Sequence, residues 1–198
     1  MSRGRALPRS FFARDSLAVA PDLLHKLLVH DDPAHGRVAA RIVEVEAYRG
    51  ADDPGSHGYR GPTPRTTTMF GPPGHLYVYF TYGMHWCANV VTGRAGECSA
   101  VLLRAAEPIA GIDVMRARRP KARRDRELCG GPARLTQALG LTGADDGADL
   151  CRGPLRILDD GVSPPAAPVW TTRIGLAPGK GDDHPWRCVV PGSPYLSR

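Results

Sequence analysis

Long hydrophobic runs are missing from this sequence of 198 residues. A membrane-spanning helix needs about 20 consecutive apolar residues, and no stretch of the chain approaches that length. Residues 1–16 contain arginines but no continuous apolar segment of the kind that a secretory signal requires. We therefore exclude a helical membrane protein and expect a cytoplasmic protein without a membrane partner.

Closely spaced cysteine pairs are also missing, since the five cysteines lie far apart with no Cys-x-x-Cys motif. Zinc ribbons and fingers need close ligand pairs, so we expect no metal site and interpret the cysteines as reduced, partly buried thiols. Lysine is scarcer still, with three among 26 basic residues. Few amines are therefore available to form a Schiff base with a substrate.

Glycine and proline, in contrast, are abundant, with 23 and 19 residues. Their share is well above the usual ~12% and indicates many turns and long loops between patterned apolar runs. We find no internal repeat and no linker that separates two cores. The length suits one domain, so we predict a single domain over residues 1–198, of which 1–10 are flexible.

The hydrophobic pattern predicts an α+β fold with a mostly antiparallel sheet, because strands follow one another while helices stand apart. Residues 51–75 are predicted to form a loop too long to be a mere connection. Helices are predicted over 21–28, 108–118 and 133–139, and strands over 41–48, 76–81, 84–92, 99–106, 155–158, 173–176 and 187–190.

The strand over 41–48 carries acidic residues on one face. Alternation places Glu44, Glu46 and Tyr48 opposite the valine face, which belongs to the core. An ordinary half-solvated strand would explain this pattern. However, the strand leads into the long loop, which contains His57, and a carboxylate beside apolar walls can acquire a raised pKa and act as a general base.

The next two strands form a hairpin whose faces carry aromatic and amide groups. Tyr77 and Tyr79 share one face of the first strand, and Cys87 and Asn89 share a face of the second. On such a surface the aromatic rings could stack on a flat ligand, and the amide could form hydrogen bonds with the polar edge of that ligand. Simple cross-strand packing of the tyrosines is the commoner explanation.

Tyr82 lies beside Gly83 at the predicted turn of this hairpin, where Asn or Asp is usual. An exposed flat side chain at such a tip is suited to enter a base stack and fill the gap left by an extruded nucleotide. Packing against a neighbouring loop is the alternative.

Groups that commonly contact phosphate flank this hairpin on both sides. A solvated arginine-rich surface is the alternative explanation for the basic residues. The candidates are Arg60, Arg65, Thr66, Thr67 and Thr68 before the hairpin, and Arg116, Arg118, Arg119, Lys121, Arg123, Arg124 and Arg126 after it.

Taken together, the motifs resemble those of the alkyladenine (3-methyladenine) DNA glycosylase family, in order from about residue 10 onward. The segments that carry the resemblance are Glu44-Val-Glu-Ala-Tyr48, Met69-Phe70, Leu76-Tyr-Val-Tyr79, Tyr82-Gly-Met84, Leu102-Leu-Arg104-Ala-Ala-Glu-Pro108, Asp125-Arg-Glu-Leu-Cys-Gly-Gly-Pro132 and Gly192-Ser-Pro-Tyr195.

The resemblance implies a single mixed domain with a curved antiparallel sheet and a protruding, DNA-inserting β-hairpin. It also implies residue roles. Glu46 matches the general base that activates water, and Arg104 an arginine near that water and the adjacent phosphate. The pocket around the flipped base is matched by Tyr48, His57 and Tyr79. Asn89 matches the asparagine that disfavours guanine, and Tyr82 matches the intercalating tyrosine. We assign DNA contacts to Met84, Arg65, Thr66, Arg116, Arg119, Arg123 and Arg124.

The implied activity is the excision of alkylated or deaminated purines from duplex DNA, leaving an abasic site. The expected lesions are 3-methyladenine, 7-methylguanine, hypoxanthine and ethenoadenine. No lysine lies between Glu46 and Asn89, so we expect a monofunctional enzyme without lyase activity, and we expect no cofactor. We also expect a monomeric protein of the bacterial type that associates with the nucleoid.

Two other functions remain open at this point. One is a non-catalytic module that binds damaged DNA or RNA with the same wedge and basic surface. The other is a hydrolase that acts on a nucleoside or sugar through Glu44 and Glu46, although such a small substrate would need neither Tyr82 nor the arginines.

Overall fold

A computed structural model describes residues 4–197, which contain one β-sheet and four α-helices packed against it. The strands are β1 (Arg5–Ala6), β2 (Leu27–Asp32), β3 (Gly36–Arg49), β4 (Leu76–Thr81), β5 (His85–Thr92), β6 (Ser99–Ala110), β7 (Leu155–Asp159), β8 (Val169–Thr171) and β9 (Arg187–Val189). The helices are α1 (Arg9–Phe12), α2 (Ser16–Leu23), α3 (Ile112–Arg118) and α4 (Pro132–Leu139). Short 3-10 turns cover Gly50–Asp52, Thr67–Phe70, Asp125–Glu127 and Gly143–Asp145.

The strands run in the order β1-β7-β2-β3-β6-β5-β4, and β9 pairs with both β3 and β8. Every pairing is antiparallel, which confirms the α+β prediction. The long strand β3 forms the centre, because it pairs with β2 and β9 along one edge and with β6 along the other. Register shifts between β3 and β6 around Ile42 and Glu44 are bulges, which bend a strand and re-aim its side chains.

The core fills the space between the sheet and the helices. Leu23 of α2, Ile42 of β3, Leu103 of β6 and Leu139 of α4 are all buried in one apolar cluster. Val43, Val45 and Ala47 of β3 are buried as predicted, but so are the carboxylates on its other face. The half-solvated alternative for this strand is therefore wrong, because the loop after β8 and the segment around Ser197 lie against its second face.

The predicted strands over 41–48, 76–81, 84–92, 99–106, 155–158 and 187–190 are confirmed, as are the long loop and the helix over 133–139. The helix predicted over 21–28 is wrong. It runs instead from Ser16 to Leu23, capped by the Asp15 side chain, and Leu27 already begins β2. A short apolar run such as Leu27–Val29 suits a buried strand as well as a helix, and periodicity alone does not separate the two.

Two further boundaries differ from the prediction. The helix predicted from residue 108 begins only at Ile112, because β6 continues to Ala110 and Gly111, at φ +68°, turns the chain into α3. The strand predicted over 173–176 is absent from the described residues, and β8 precedes it at Val169–Thr171. Within this segment the side chain of Arg173 points into the protein, where its guanidinium is fully buried.

Residues 1–3 of the segment expected to be flexible lie outside the described residues, whereas Arg5 and Ala6 pair with β7. None of the helices found in residues 4–197 has the length and apolar character needed to cross a bilayer.

Candidate active site

A cavity of about 350 Å³ opens between the ends of β3–β6, the loop before β4 and the loop after β8. Its size lies at the lower end of the ~300–1,000 Å³ typical of small-molecule sites. The sequence-predicted residues that line it are Glu46, Tyr48, His57, Tyr77, Tyr79, Tyr82, Cys87, Asn89 and Arg104. Catalytic and binding candidates from four strands and two loops thus meet at one site.

Glu46 lies at the buried end of this cavity, held by donors on three sides. Oε1 accepts the backbone N–H of Ile174 at 2.7 Å and faces Nη1 of Arg104 at 3.3 Å. Oε2 accepts the Tyr48 hydroxyl at 3.0 Å. Burial raises the pKa of Glu46, while Arg104 and these hydrogen bonds oppose the rise. The result is an oriented carboxylate that is a stronger base than a solvated one.

Glu44, two residues earlier, has a different environment and does not line the cavity. Burial disfavours its charge, but hydrogen bonds from Ser197 and Arg187 and the charge of Arg104 lower its pKa below the ordinary value. Glu44 is therefore an ionised carboxylate whose acceptors are occupied, as expected from the repulsion that two free carboxylates would suffer.

Arg104 of β6 links the two glutamates. Its Nε donates to Glu44 Oε1 at 3.0 Å while Nη1 faces Glu46. Burial lowers the pKa of Arg104, but the two carboxylates outweigh burial and raise it. A permanent positive charge thus sits between two buried acids.

Aromatic rings form one wall of the cavity. Tyr77 and Tyr79 stack with centroids 5.5 Å apart, and the His57 ring meets Tyr79 edge-on at 4.5 Å. His57 Nδ1 lies 3.2 Å from the Tyr77 hydroxyl. Burial lowers the pKa of His57, so the ring is neutral at pH 7 and has one donor and one acceptor nitrogen.

Tyr48 is supported from behind by Arg173, whose guanidinium lies 4.6 Å from the centre of the Tyr48 ring. Arg173 forms a fully buried pair with Asp53, with two contacts of 2.6 and 2.8 Å. It fixes the loop that delivers the Ile174 N–H to Glu46. Sequence reasoning missed Arg173, Asp53 and Ile174, because partners 120 residues apart leave no local pattern.

Asn89 of β5 is buried at the wall of the cavity, where its Nδ2 donates to the Tyr77 carbonyl at 3.3 Å. Cys87, also on β5, lines the same wall, and all five cysteines are free thiols. In residues 4–197 no group of three His, Cys, Asp or Glu side chains is arranged to hold a metal ion.

Tyr82 stands at the rim of the cavity on the tip of the β4–β5 hairpin. Its side chain is 83% exposed, and Met84 beside it is 67% exposed. Tyr82 and Gly83 both have positive φ, +51° and +65°, as type I′ turns require, and Met84 N–H closes the turn onto the Thr81 carbonyl. Tyrosine is a strained choice for this conformation, and it packs against little of the protein.

Arg65 and Thr66 lie in the loop before β4. Arg65 donates to the Phe80 carbonyl at 3.3 Å, and its guanidinium lies 5.5 Å from the Tyr79 ring, so a cation stands beside the hairpin. Thr66 is buried, and its hydroxyl lies 3.0 Å from that of Thr63. The Thr66 side chain therefore shapes the loop and offers no exposed hydroxyl in this conformation.

The predicted arginine cluster lies outside the cavity and is partly neutralised. Arg116 pairs with Asp113 and Asp125, and Arg124 pairs with Glu127. Arg119 donates to Gln137, which lines a neighbouring cavity together with Met84. Within the described residues, Arg123 forms no side-chain ion pair.

Comparison with known proteins identifies the family of this chain. Residues 10–194 match the family described as "Methylpurine-DNA glycosylase (MPG)". A protein of Burkholderia cenocepacia is 57% identical over 196 residues, covering 98% of this chain and 92% of its own length. Proteins of Streptomyces avermitilis and Methanoculleus marisnigri are 52% and 49% identical, covering 96% and 97% of this chain and 90% and 98% of their own lengths. All three bear the name "Putative 3-methyladenine DNA glycosylase". The chain belongs to the methylpurine-DNA glycosylase family.

Proposed function

We propose that this protein is a DNA repair glycosylase that extrudes an alkylated or deaminated purine from duplex DNA and hydrolyses its N-glycosidic bond. The observation that carries this proposal is the single cavity that joins a buried carboxylate, stacked aromatic rings and an exposed tyrosine at its rim. The expected lesions are 3-methyladenine, 7-methylguanine, hypoxanthine and ethenoadenine.

The chemical step falls to Glu46. As the purine departs, positive charge develops on the sugar, and a carboxylate beside C1′ stabilises that charge and removes a proton from the attacking water. Glycoside hydrolases use carboxylates comparably. The N–H of Ile174, the Tyr48 hydroxyl and Arg104 hold the Glu46 carboxylate in one orientation, so it does not have to reorganise during the reaction.

The extruded base binds against the aromatic wall. Tyr48, His57 and Tyr79 supply flat, electron-rich surfaces, which attract a cationic alkylated purine more than a normal one. When the Tyr77 hydroxyl donates to His57 Nδ1, Nε2 carries the proton and can donate to the purine. Asn89 limits the room for the exocyclic amine of guanine.

Tyr82 acts as the wedge that fills the space left by the extruded nucleotide, and Met84 extends the same surface. Damaged pairs are easier to open, which adds selectivity before chemistry. Arg65 is the best-placed phosphate contact, because it lies beside the hairpin. Arg119 and Arg123 form no side-chain ion pair within the described residues and are the next candidates, with smaller contributions from the ion-paired Arg116 and Arg124. One chain supplies every group named, so a monomer suffices.

We propose that the reaction ends at an intact abasic site. A lyase step needs an amine that attacks the sugar. Lys26 is buried and pairs with Asp159 at 3.0 Å, and none of the three lysines lines the cavity. Duplex treated with enzyme should therefore break only after exposure to alkali.

The direct test is to incubate the protein with duplex carrying one hypoxanthine or 7-methylguanine and to measure alkali-labile sites. The wild type should release the base, and Glu46→Gln should bind the same duplex with release reduced by roughly 100-fold or more. Full binding by the wild type without release would support a non-catalytic binding module instead. Unchanged release by Glu46→Gln would contradict the assignment of the base.

A further inference from the structure

A second layer of hydrogen bonds lies behind the cavity and ends at Ser197. The Ser197 backbone N–H donates to Glu44 Oε2, and its hydroxyl donates to Glu44 Oε1, each at 2.6 Å. Arg187 Nε adds a third donor to Oε1 at 2.9 Å. The Glu44 side chain is fully buried, so its charge depends on these donors and on Arg104.

The same residues fix how the Arg104 guanidinium is turned. Nε donates to Glu44 at 3.0 Å, and Nη2 donates to the Ser197 hydroxyl at 3.3 Å. Only Nη1 is left to face Glu46. Without Glu44 and Ser197 the guanidinium could turn two nitrogens toward the Glu46 carboxylate, which is its preferred bidentate geometry.

The segment that carries Ser197 is itself anchored. The bond from Tyr195 N–H to the Ser193 hydroxyl, at 3.3 Å, is local to the segment and does not connect it to the rest of the protein. Pro194 and Leu196 pack beside Gly130, close to the start of α4. Ser197 is therefore held in place by its neighbours and not only by Glu44.

We propose that Glu44 and Ser197 are positioning residues for base excision: Ser197 satisfies Glu44, and Glu44 holds Arg104 by its Nε so that a single guanidinium nitrogen faces Glu46. This inference rests on the proposed function. Glu46 then keeps enough positive charge nearby to stay ionised at neutral pH, yet is not tied up in a bidentate pair that would weaken it as a base.

The groups that face Glu46 come from every element around it and determine its response to pH. Glu44 raises its pKa, and Arg104, Tyr48 and the Ile174 N–H lower it, while burial makes the largest contribution. The other titratable or charged groups around the cavity are Tyr77, Tyr79, Tyr82, Cys87 and His57, with Arg187 opposite Glu46 on β9, Arg173 behind Tyr48 and Arg65 beside Tyr79.

Glu44→Gln should move the acidic limb of the pH–rate profile to lower pH by about one unit. The substitution removes a repelling charge and leaves Arg104 to Glu46 alone, and both changes favour the ionised form of Glu46. Ser197→Ala should move the limb the opposite way, because Glu44 loses a donor and draws Arg104 away from Glu46.

The experiment measures single-turnover release of 7-methylguanine from duplex between pH 4 and 9, corrected for spontaneous loss. This base carries its positive charge throughout the acidic range, so no proton donor to the purine adds a second acidic limb. Ser193→Ala is the matched control, because its hydroxyl lies in the same segment without touching Glu44. Ser197→Thr restores a hydroxyl and should restore the wild-type limb.

The inference is supported by opposite shifts in Glu44→Gln and Ser197→Ala, with lesion binding unchanged and Ser193→Ala like the wild type. The inference is overturned if the acidic limb of the folded Glu44→Gln and Ser197→Ala variants lies at the wild-type pH. It is also overturned if Ser193→Ala shifts the limb as much as Ser197→Ala does. If Glu44→Gln fails to fold, the inference is tested by the shift in Ser197→Ala and by the return of the limb to the wild-type pH in Ser197→Thr. A wild type that releases no base would instead refute the proposed function.

Discussion

Glu46 is the residue at which burial and hydrogen bonding act most strongly against each other. Burial raises its pKa, and Arg104 limits the rise. A general base works only when ionised, so the rate of base release should be full above the raised pKa and fall as pH drops through it. With 7-methylguanine as the lesion, we expect one acidic limb at higher pH than the ~4.3 of an unperturbed glutamate. A limb at or below that value would contradict the burial argument.

Asn89 is the side chain that we expect to disfavour guanine. It is buried, and its Nδ2 is fixed on the Tyr77 carbonyl, so it limits the room for the exocyclic amine; 7-methylguanine carries the same amine but is cationic, which strengthens its stacking on the aromatic wall. Asn89→Ser makes room and should increase release of undamaged guanine by roughly tenfold, measured as alkali-labile sites in unmodified duplex. Met69→Leu changes another residue lining the cavity at nearly constant volume and should leave guanine release low. Equal guanine release by wild type and Asn89→Ser would count against this role.

The tip of the β4–β5 hairpin lowers the stability of the protein, because Tyr82 adopts a strained backbone conformation there and its exposed side chain gains little from packing. Tyr82 adopts a positive φ that glycine tolerates better. Tyr82→Gly should therefore leave the thermal midpoint unchanged or higher while weakening binding to lesion-containing duplex by roughly tenfold. Affinity is measured by fluorescence anisotropy, and Tyr59→Ser, which removes another exposed tyrosine, serves as the control. An unaltered affinity in Tyr82→Gly would mean that Tyr82 is not the wedge.

The elements that form the site were predictable where the local pattern was unambiguous. Alternation identified β3 and the hairpin, and the turn residues identified its tip. The helix over 21–28 was wrong because Leu27 and Leu28 belong to a central strand that is buried on both sides, which removes the alternation by which a strand is recognised. Burial of Glu44 and Glu46 together could not be predicted, because it depends on the loop after β8 and on the segment around Ser197, which lie against β3.

Across the whole molecule, a net charge of +6 favours a polyanionic partner. Affinity for duplex DNA should fall with increasing salt, and Arg123→Gln should reduce the slope of log K against log[salt] by about one. Arg116→Gln should change the slope less, because Asp113 and Asp125 already neutralise Arg116. A salt-independent affinity would move the DNA-binding surface elsewhere.

Long-range contacts are the part of the site that lay beyond sequence reasoning. Asp53 meets Arg173, Glu46 meets Ile174, and Glu44 meets Ser197, each across more than a hundred positions. Motifs on β3 and the hairpin could identify the acid and the aromatic wall. Only the fold reveals which later residues supply the donors that make two adjacent buried acids tolerable.

The donors that lie late in the sequence also determine when the site can form during synthesis of the chain. Proteins emerge from the ribosome from the amino end, so both glutamates leave the tunnel long before residues 173, 187 and 197. Until those residues arrive, the two acids have only Arg104 to neutralise them. Burial of β3 is then electrostatically opposed. We therefore expect this part of the sheet to close late, after the segment around Ser197 has joined it.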